Sequence, residues 1–107
     1  MIKVSVLYGH AQGTTFDKAY YCDKHIPMVR DKLGQACRRL EVDLGLGGAE
    51  PGSKPPFVAM AHMLFEDLES FQSSFGPHAE AILGDIPNYT DIEPTIQISE
   101  LRTESGP

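Results

Sequence analysis

Nine consecutive residues, Phe57-Val58-Ala59-Met60-Ala61-His62-Met63-Leu64-Phe65, constrain this chain more than any other feature, because they are apolar on both alternating faces except for one histidine. The run falls far short of the roughly 20 residues that span a bilayer. It reads instead as a strand in the middle of a sheet, covered on both sides. A chain of 107 residues with 41% hydrophobic content supplies one core and not two, since a single core usually takes about 100 to 150 residues. We expect one domain over residues 1–102 and a flexible tail over 103–107.

The rest of the pattern supplies partners for that strand. Ile2-Lys3-Val4-Ser5-Val6-Leu7-Tyr8 alternates and stops at Gly9, a half-buried first strand that points Val4, Val6 and Tyr8 one way. Thr14-Thr15-Phe16-Asp17 has the form of a helix start, and Ala19, Cys22, Ile26, Val29 and Leu33 then recur at steps of three and four up to Gly34. Pro27 has no N–H for the carbonyl of residue 23, so the helix must kink or divide there and leave backbone oxygens free. Leu40, Val42, Leu44 and Leu46 alternate as a second strand ended by Gly47-Gly48. The Gly- and Pro-rich stretch that follows leads into a strand, which argues against a phosphate-binding loop. Asp67 caps a helix with Leu68, Phe71 and Phe75 facing inward. Pro77 opens a short continuation through Ala79, Ile82, Leu83 and Ile86, and Thr95-Ile96-Gln97-Ile98-Ser99 is the last strand.

The order β-α-β-β-α-β is an α+β, ferredoxin-like arrangement: a four-stranded antiparallel sheet with the first and third strands central and helices on one face. The helices would meet Val4, Val6, Val42, Leu44, Ala59, Ala61, Met63, Ile96 and Ile98. The opposite face would carry Ser5, Leu7, Val58, Met60, His62, Leu64, Gln97 and Ser99, a surface too apolar at the third strand to be left in water. A second copy packed on it is the economical cover. That predicts a homodimeric α+β barrel with a small, mostly apolar interior for a hydrophobic molecule.

Charge narrows the partners. The net −6 divides into +2 over residues 1–54 and −8 over 55–107, and Arg38-Arg39 is the single adjacent basic pair. Nucleic acid, which needs clustered cations and stacking aromatics, is therefore not expected. Met1 leads into a strand pattern rather than a signal peptide, and Cys22 and Cys37 lack disulfide or C-x-x-C spacing, so a reducing, cytoplasmic setting is expected without membrane attachment. The four histidines have no metal-ligand spacing, and no dinucleotide fingerprint occurs, so neither metal nor cofactor is expected.

Five stretches then line up with one family: Ile2–Gly9, Phe16-x3-Tyr20-x4-His25-x-Pro27, Ala61–Phe65, Phe75-x-Pro77-His78, and above all Asp85-Ile86-Pro87-Asn88-Tyr89-Thr90-Asp91-Ile92-x-Pro94. The chain resembles the EthD family, named for ethyl tert-butyl ether degradation. The resemblance implies a dimeric α+β barrel. It also implies a loosely defined activity: members carry reductase or oxidoreductase labels, and relatives sharing the barrel act without cofactors as oxygenases, dehydratases or cyclases on hydrophobic compounds. Fold alone does not choose among these.

Two histidines lead the catalytic candidates. His25 fits the family pattern and lies at the proline-broken turn, where a freed carbonyl would fix one ring nitrogen and leave the other for proton transfer; a cap on the kinked helix is the plainer role. His62 is the lone polar group of the central strand. It would face a ligand in the barrel, or be a buried histidine bonded to Ser5, Gln97 or nearby backbone. Ser5, Leu7, Tyr20, Tyr21, Met60, His78, Tyr89 and Gln97 are the candidate ligand-binding residues, with His78 and Tyr89 at the pocket mouth and Tyr20 flanking the core stripe. Two functions remain open: an acid/base or oxidoreductase enzyme on a hydrophobic organic molecule, or a non-catalytic carrier of such a molecule for an oxidising system.

Overall fold

Alternation along the strands sets their pairing. A computed structural model describes residues 1–102, so the expected tail at 103–107 lies outside the described residues. Strands β1 (Ile2–Gly9), β2 (Arg39–Leu44), β3 (Phe57–Phe65) and β4 (Thr95–Glu100) form one antiparallel sheet in the order β2-β3-β1-β4. Val4 lies opposite Met63 and Ile98, and Ser5 opposite His62 and Gln97. Because side chains alternate, this register puts Val4, Met63 and Ile98 on one face and Ser5, His62 and Gln97 on the other. The fold is the ferredoxin-like α+β arrangement that the pattern predicts.

The first helical segment runs from α1 (Lys18–Tyr20) through a π-helical turn at Tyr21–His25 into α2 (Ile26–Leu33). The interruption imposed by Pro27 takes this form: the Ile26 N–H reaches back to the Tyr21 carbonyl just before the proline ring. One extra residue in that turn rotates the helix, and the buried stripe becomes Tyr21, His25, Val29 and Leu33 rather than Ala19, Cys22 and Ile26. The start also differs from the expected Thr14 box. Asp17 is the cap, its carboxylate accepting from the Tyr20 N–H at 3.0 Å. At the other end Gly34 takes φ +60°, a conformation that favours glycine.

Helices α3 (Leu68–Phe75) and α4 (Ala79–Gly84), joined by a 3₁₀ turn at Gly76–His78, complete the layer over the sheet. Asp67 caps α3 as expected, 2.8 Å from the Ser70 N–H. Three expectations fail at the margins. Leu46 lies beyond β2 and is 97% exposed, because the chain turns at Gly45, where a Cβ would stand 2.2 Å from the Phe57 carbonyl. Leu68, in the first turn of α3, points outward, and Ile96 and Ile98 stay about half exposed, at 50% and 47%, because the helices stop short of β4. The core proper packs Val4, Met63 and Phe65 against Val29, Leu33 and Ile82. Beside it, Tyr8, Tyr21, Ala59, Tyr89 and Ile92 form a second, aromatic cluster.

Candidate functional site

The aromatic cluster is where chemistry collects. The segment after α4 turns through Ile86–Asn88 and is stitched to the start of α1: the Asp17 N–H donates to the Tyr89 carbonyl at 2.7 Å, and the Thr90 hydroxyl to the Thr15 carbonyl at 2.7 Å. That stitching brings Asp85 beneath the π-helical turn. Its carboxylate accepts from His25 Nδ1 at 2.9 Å, from the Tyr20 hydroxyl at 2.7 Å and from Asn88 Nδ2 at 2.9 Å.

These contacts assign the protons. Burial alone would raise the Asp85 carboxyl, but the hydrogen bonds from Asn88, His25 and Tyr20 together outweigh it and hold the group below the ordinary carboxylate range. Burial pushes His25 down, against the opposing pull of the Asp85 hydrogen bond. A neutral imidazole beside an ionised carboxylate must carry its proton on Nδ1, which leaves Nε2 with a lone pair. His25 is buried between the rings of Tyr21, stacked at 5.8 Å, and Tyr89, tilted at 4.7 Å.

Tyr8 and Tyr89 share a hydrogen bond of 2.5 Å between their hydroxyls. Tyr21 differs from both. It is 1% exposed, and its hydroxyl is the one buried side-chain oxygen or nitrogen among the described residues without a hydrogen-bond partner. Burial raises the Tyr21 and Tyr89 phenols well above the usual tyrosine range.

A cavity of about 240 Å³ lies between the helix-covered face of the sheet and the helices. Val4, Val6, Ala61 and Met63 form its floor, Val29, Phe71, Phe75 and Ile82 its roof, and Tyr8, Tyr21 and His25 close one end. Leu83, Ile96 and Ile98 also line it and are the exposed ones, so its mouth is at β4. Among the lining residues His25 is the only histidine, and none carries a carboxylate or an amine.

The family model for the EthD domain matches residues 12–93. The chain belongs to the EthD family. An EthD-like protein from Ralstonia eutropha JMP134 is 48% identical over 97% of this chain and 94% of its own, with a TM-score of 0.91. An EthD-family protein from Bacillus halodurans C-125 is similar at 24% identity, covering 95% of this chain and 99% of that one, TM-score 0.74. A dimeric protein of unknown function and ferredoxin-like fold from Bacteroides fragilis NCTC 9343 shares the fold at 14% identity, over 94% of this chain and 95% of that one, TM-score 0.50. No curated protein matches the sequence.

Within this EthD domain the candidate residues divide into two groups. Tyr20, Tyr21, His25 and Tyr89 come together near Asp85, but of these only Tyr21 and His25 line the cavity; Tyr89, expected at its mouth, is buried in the aromatic cluster instead. Ser5, Leu7, Met60, His62 and Gln97 lie on the opposite, helix-free face, so one pocket does not hold both histidines. There His62 Nδ1 shares a 2.8 Å hydrogen bond with Ser5, while Gln97 turns to Ser99 at 3.0 Å. His78 lies in the turn before α4 and is not among the cavity's lining residues. The expected backbone partner of His25 is replaced by a side chain, since the π-helical turn absorbs the break at Pro27. Asp85, Asn88 and Tyr8 carry no role in the sequence reading. The signal for Asp85 was its place at the head of the family-specific segment.

Proposed function

We propose that this EthD-family chain is a small acid/base enzyme. It holds a hydrophobic organic molecule between sheet and helices, His25 transfers the proton, and Asp85 positions it. One observation carries the reading: an imidazole oriented through Nδ1 by a partly buried carboxylate lines an otherwise apolar cavity and keeps Nε2 unengaged. An imidazole that burial keeps neutral in an apolar pocket suits proton abstraction, and the imidazolium it forms is stabilised by the same carboxylate. Of the reaction types implied by the family, acid/base chemistry fits these residues better than oxidoreduction. The aliphatic lining equally suits a carrier, which is the competing reading.

Native mass spectrometry of the freshly purified protein tests for a retained ligand, and turnover of the molecule it identifies separates the two readings. His25→Gln should lower turnover about 10² to 10⁴-fold without weakening binding. Binding without product supports the carrier, and unchanged turnover in the variant overturns the base assignment. The same spectrum reports the assembly. We expect two chains, joined through the helix-free face, where Leu7, Val58, Met60 and Leu64 remain only half buried. Among the described residues no helix is long and apolar enough to cross a membrane.

A further inference from the structure

We propose that a second copy of this chain completes the cavity: the hairpin that continues β2 and β3 seats along β4 of the partner, and its Leu46 covers the mouth of the partner's cavity. The inference rests on the two-chain assembly proposed above and is independent of the proton-transfer chemistry.

The mouth is the unfinished part of the site. Among the described residues β4 pairs with β1 alone, so its outer edge offers unused backbone donors and acceptors. Beside that edge Leu83, Ile96 and Ile98 line the cavity yet stay about half exposed. A cavity that is apolar to its rim and open there is wet where a hydrophobic ligand needs it dry.

The opposite edge carries a segment with no task in its own chain. Beyond Leu44 the chain bends but does not leave β3: the Gly45 N–H donates to the Val58 carbonyl at 2.8 Å and the Gly48 N–H to the Ser53 carbonyl at 3.2 Å. A turn closes this arm, the Ser53 N–H donating to the Glu50 carbonyl at 3.1 Å. Its two sides run so close that a Cβ at Gly48 would stand 2.5 Å from the Ser53 hydroxyl oxygen. The arm's one leucine, Leu46, is 97% exposed. A lone exposed leucine needs no explanation. This one has a place waiting in a two-copy barrel.

Barrel geometry decides where the arm falls. Two four-stranded sheets that close on each other through their helix-free faces join at their edges, and joining β2 to β4 of the partner keeps every neighbouring pair antiparallel. Joining β2 to itself would instead bring Glu41 and Asp43 up against their own copies. Closure also requires the register to stagger, by about eight residues round an eight-stranded barrel. Within each sheet the rows run level, Asp43, Met60, Leu7 and Thr95 forming one of them, so symmetry puts half the stagger, about four residues, at each junction. The right-handed twist of the strands fixes its direction. The partner's Leu46 then comes opposite Ile96 and the partner's Leu44 opposite Ile98, on the helix-facing side where the mouth lies. To reach that pairing β2 must run on past Leu44, and the arm is what runs on.

The test is a disulfide between copies. Within one chain residues 46 and 96 belong to opposite edges of the sheet, about 14 Å apart at roughly 4.8 Å per strand step, beyond the ~7 Å limit for a bridge. Leu46→Cys/Ile96→Cys should therefore run as a covalent dimer on a non-reducing gel and yield a linked 46–96 peptide pair. Neither single variant should, although Cys22 and Cys37 are present in all three. A native dimer without the link overturns the seating of the arm and leaves the assembly standing; a native monomer overturns both. Closure of the mouth is read separately with toluene, titrated by NMR into wild type and Leu46→Ala. We expect about 3- to 10-fold weaker binding in the variant, from the loss of apolar cover. In a lone chain the same change at so exposed a position would be silent. Unchanged affinity, or no toluene binding to wild type, would overturn the closure.

Discussion

The two histidines on opposite faces of the sheet make an instructive pair. His25, on the helix side, is held by a carboxylate that three side chains donate to and that is itself largely withdrawn from water. His62, on the helix-free side, shares a bond with Ser5 and stands 3.8 Å from the Asp43 carboxylate, whose side chain is 63% exposed. An exposed carboxylate at that distance neither fixes a tautomer nor contributes much energy. The residue type is the same; what differs is whether a partner has been immobilised to give one nitrogen a single task.

Removing each partner should expose that difference. Asp85→Ala strands the buried Nδ1–H of His25 and frees Tyr20 and Asn88, so we expect a loss of about 3 kcal/mol in urea unfolding, from charge-assisted bonds and an unsatisfied donor. A loss below about 1 kcal/mol would place Asp85 with the loosely held Asp43 and erase the contrast. Acid comes next. The folded pKa of His25 lies below its unfolded value, so between the two the unfolded chain binds the extra proton. Its contribution is complete above the ordinary histidine value near 6.5 and is lost as pH falls through the folded pKa. Asp85, also lowered, contributes above the ordinary carboxylate value and loses its share as pH falls further. The urea midpoint should thus fall steadily from pH 7 toward pH 4, and His25→Gln should flatten the upper part of that slope. The smallest effect belongs to the open face: Ser5→Ala removes one neutral hydrogen bond from a partly exposed ring and should cost about 1 kcal/mol or less by the same urea assay.

Strands, their order and the side-chain sets on each face were legible because period-two alternation is a local signal, and Val4/Met63 against Ser5/His62 follows from it directly. The helix register was not. A stripe written as Ala19, Cys22, Ile26 assumes an uninterrupted α-helix, whereas one π-helical turn ahead of Pro27 brings Tyr21 and His25 inward instead. Nor was the site. His25 meets Asp85 across 60 residues and Tyr8 meets Tyr89 across 81, and such pairings have no periodicity to betray them. The position of the cavity depends on how far α3 and α4 reach over the sheet, a matter of packing that leaves Ile96 and Ile98 uncovered.

The stitching of residues 15–17 to residues 89–91 has a kinetic consequence. The two segments lie just inside the terminal strands β1 and β4, so the loop they close spans most of the chain and its entropic cost falls before its contacts repay it. Strands β1 to β3 and the helices can condense first, leaving β4 and the Asp85–His25 pair as the last parts of the molecule to acquire their shape. A nascent chain that has not yet released residues 85–91 lacks β4 as well, so His25 meets its carboxylate only as the sheet is completed.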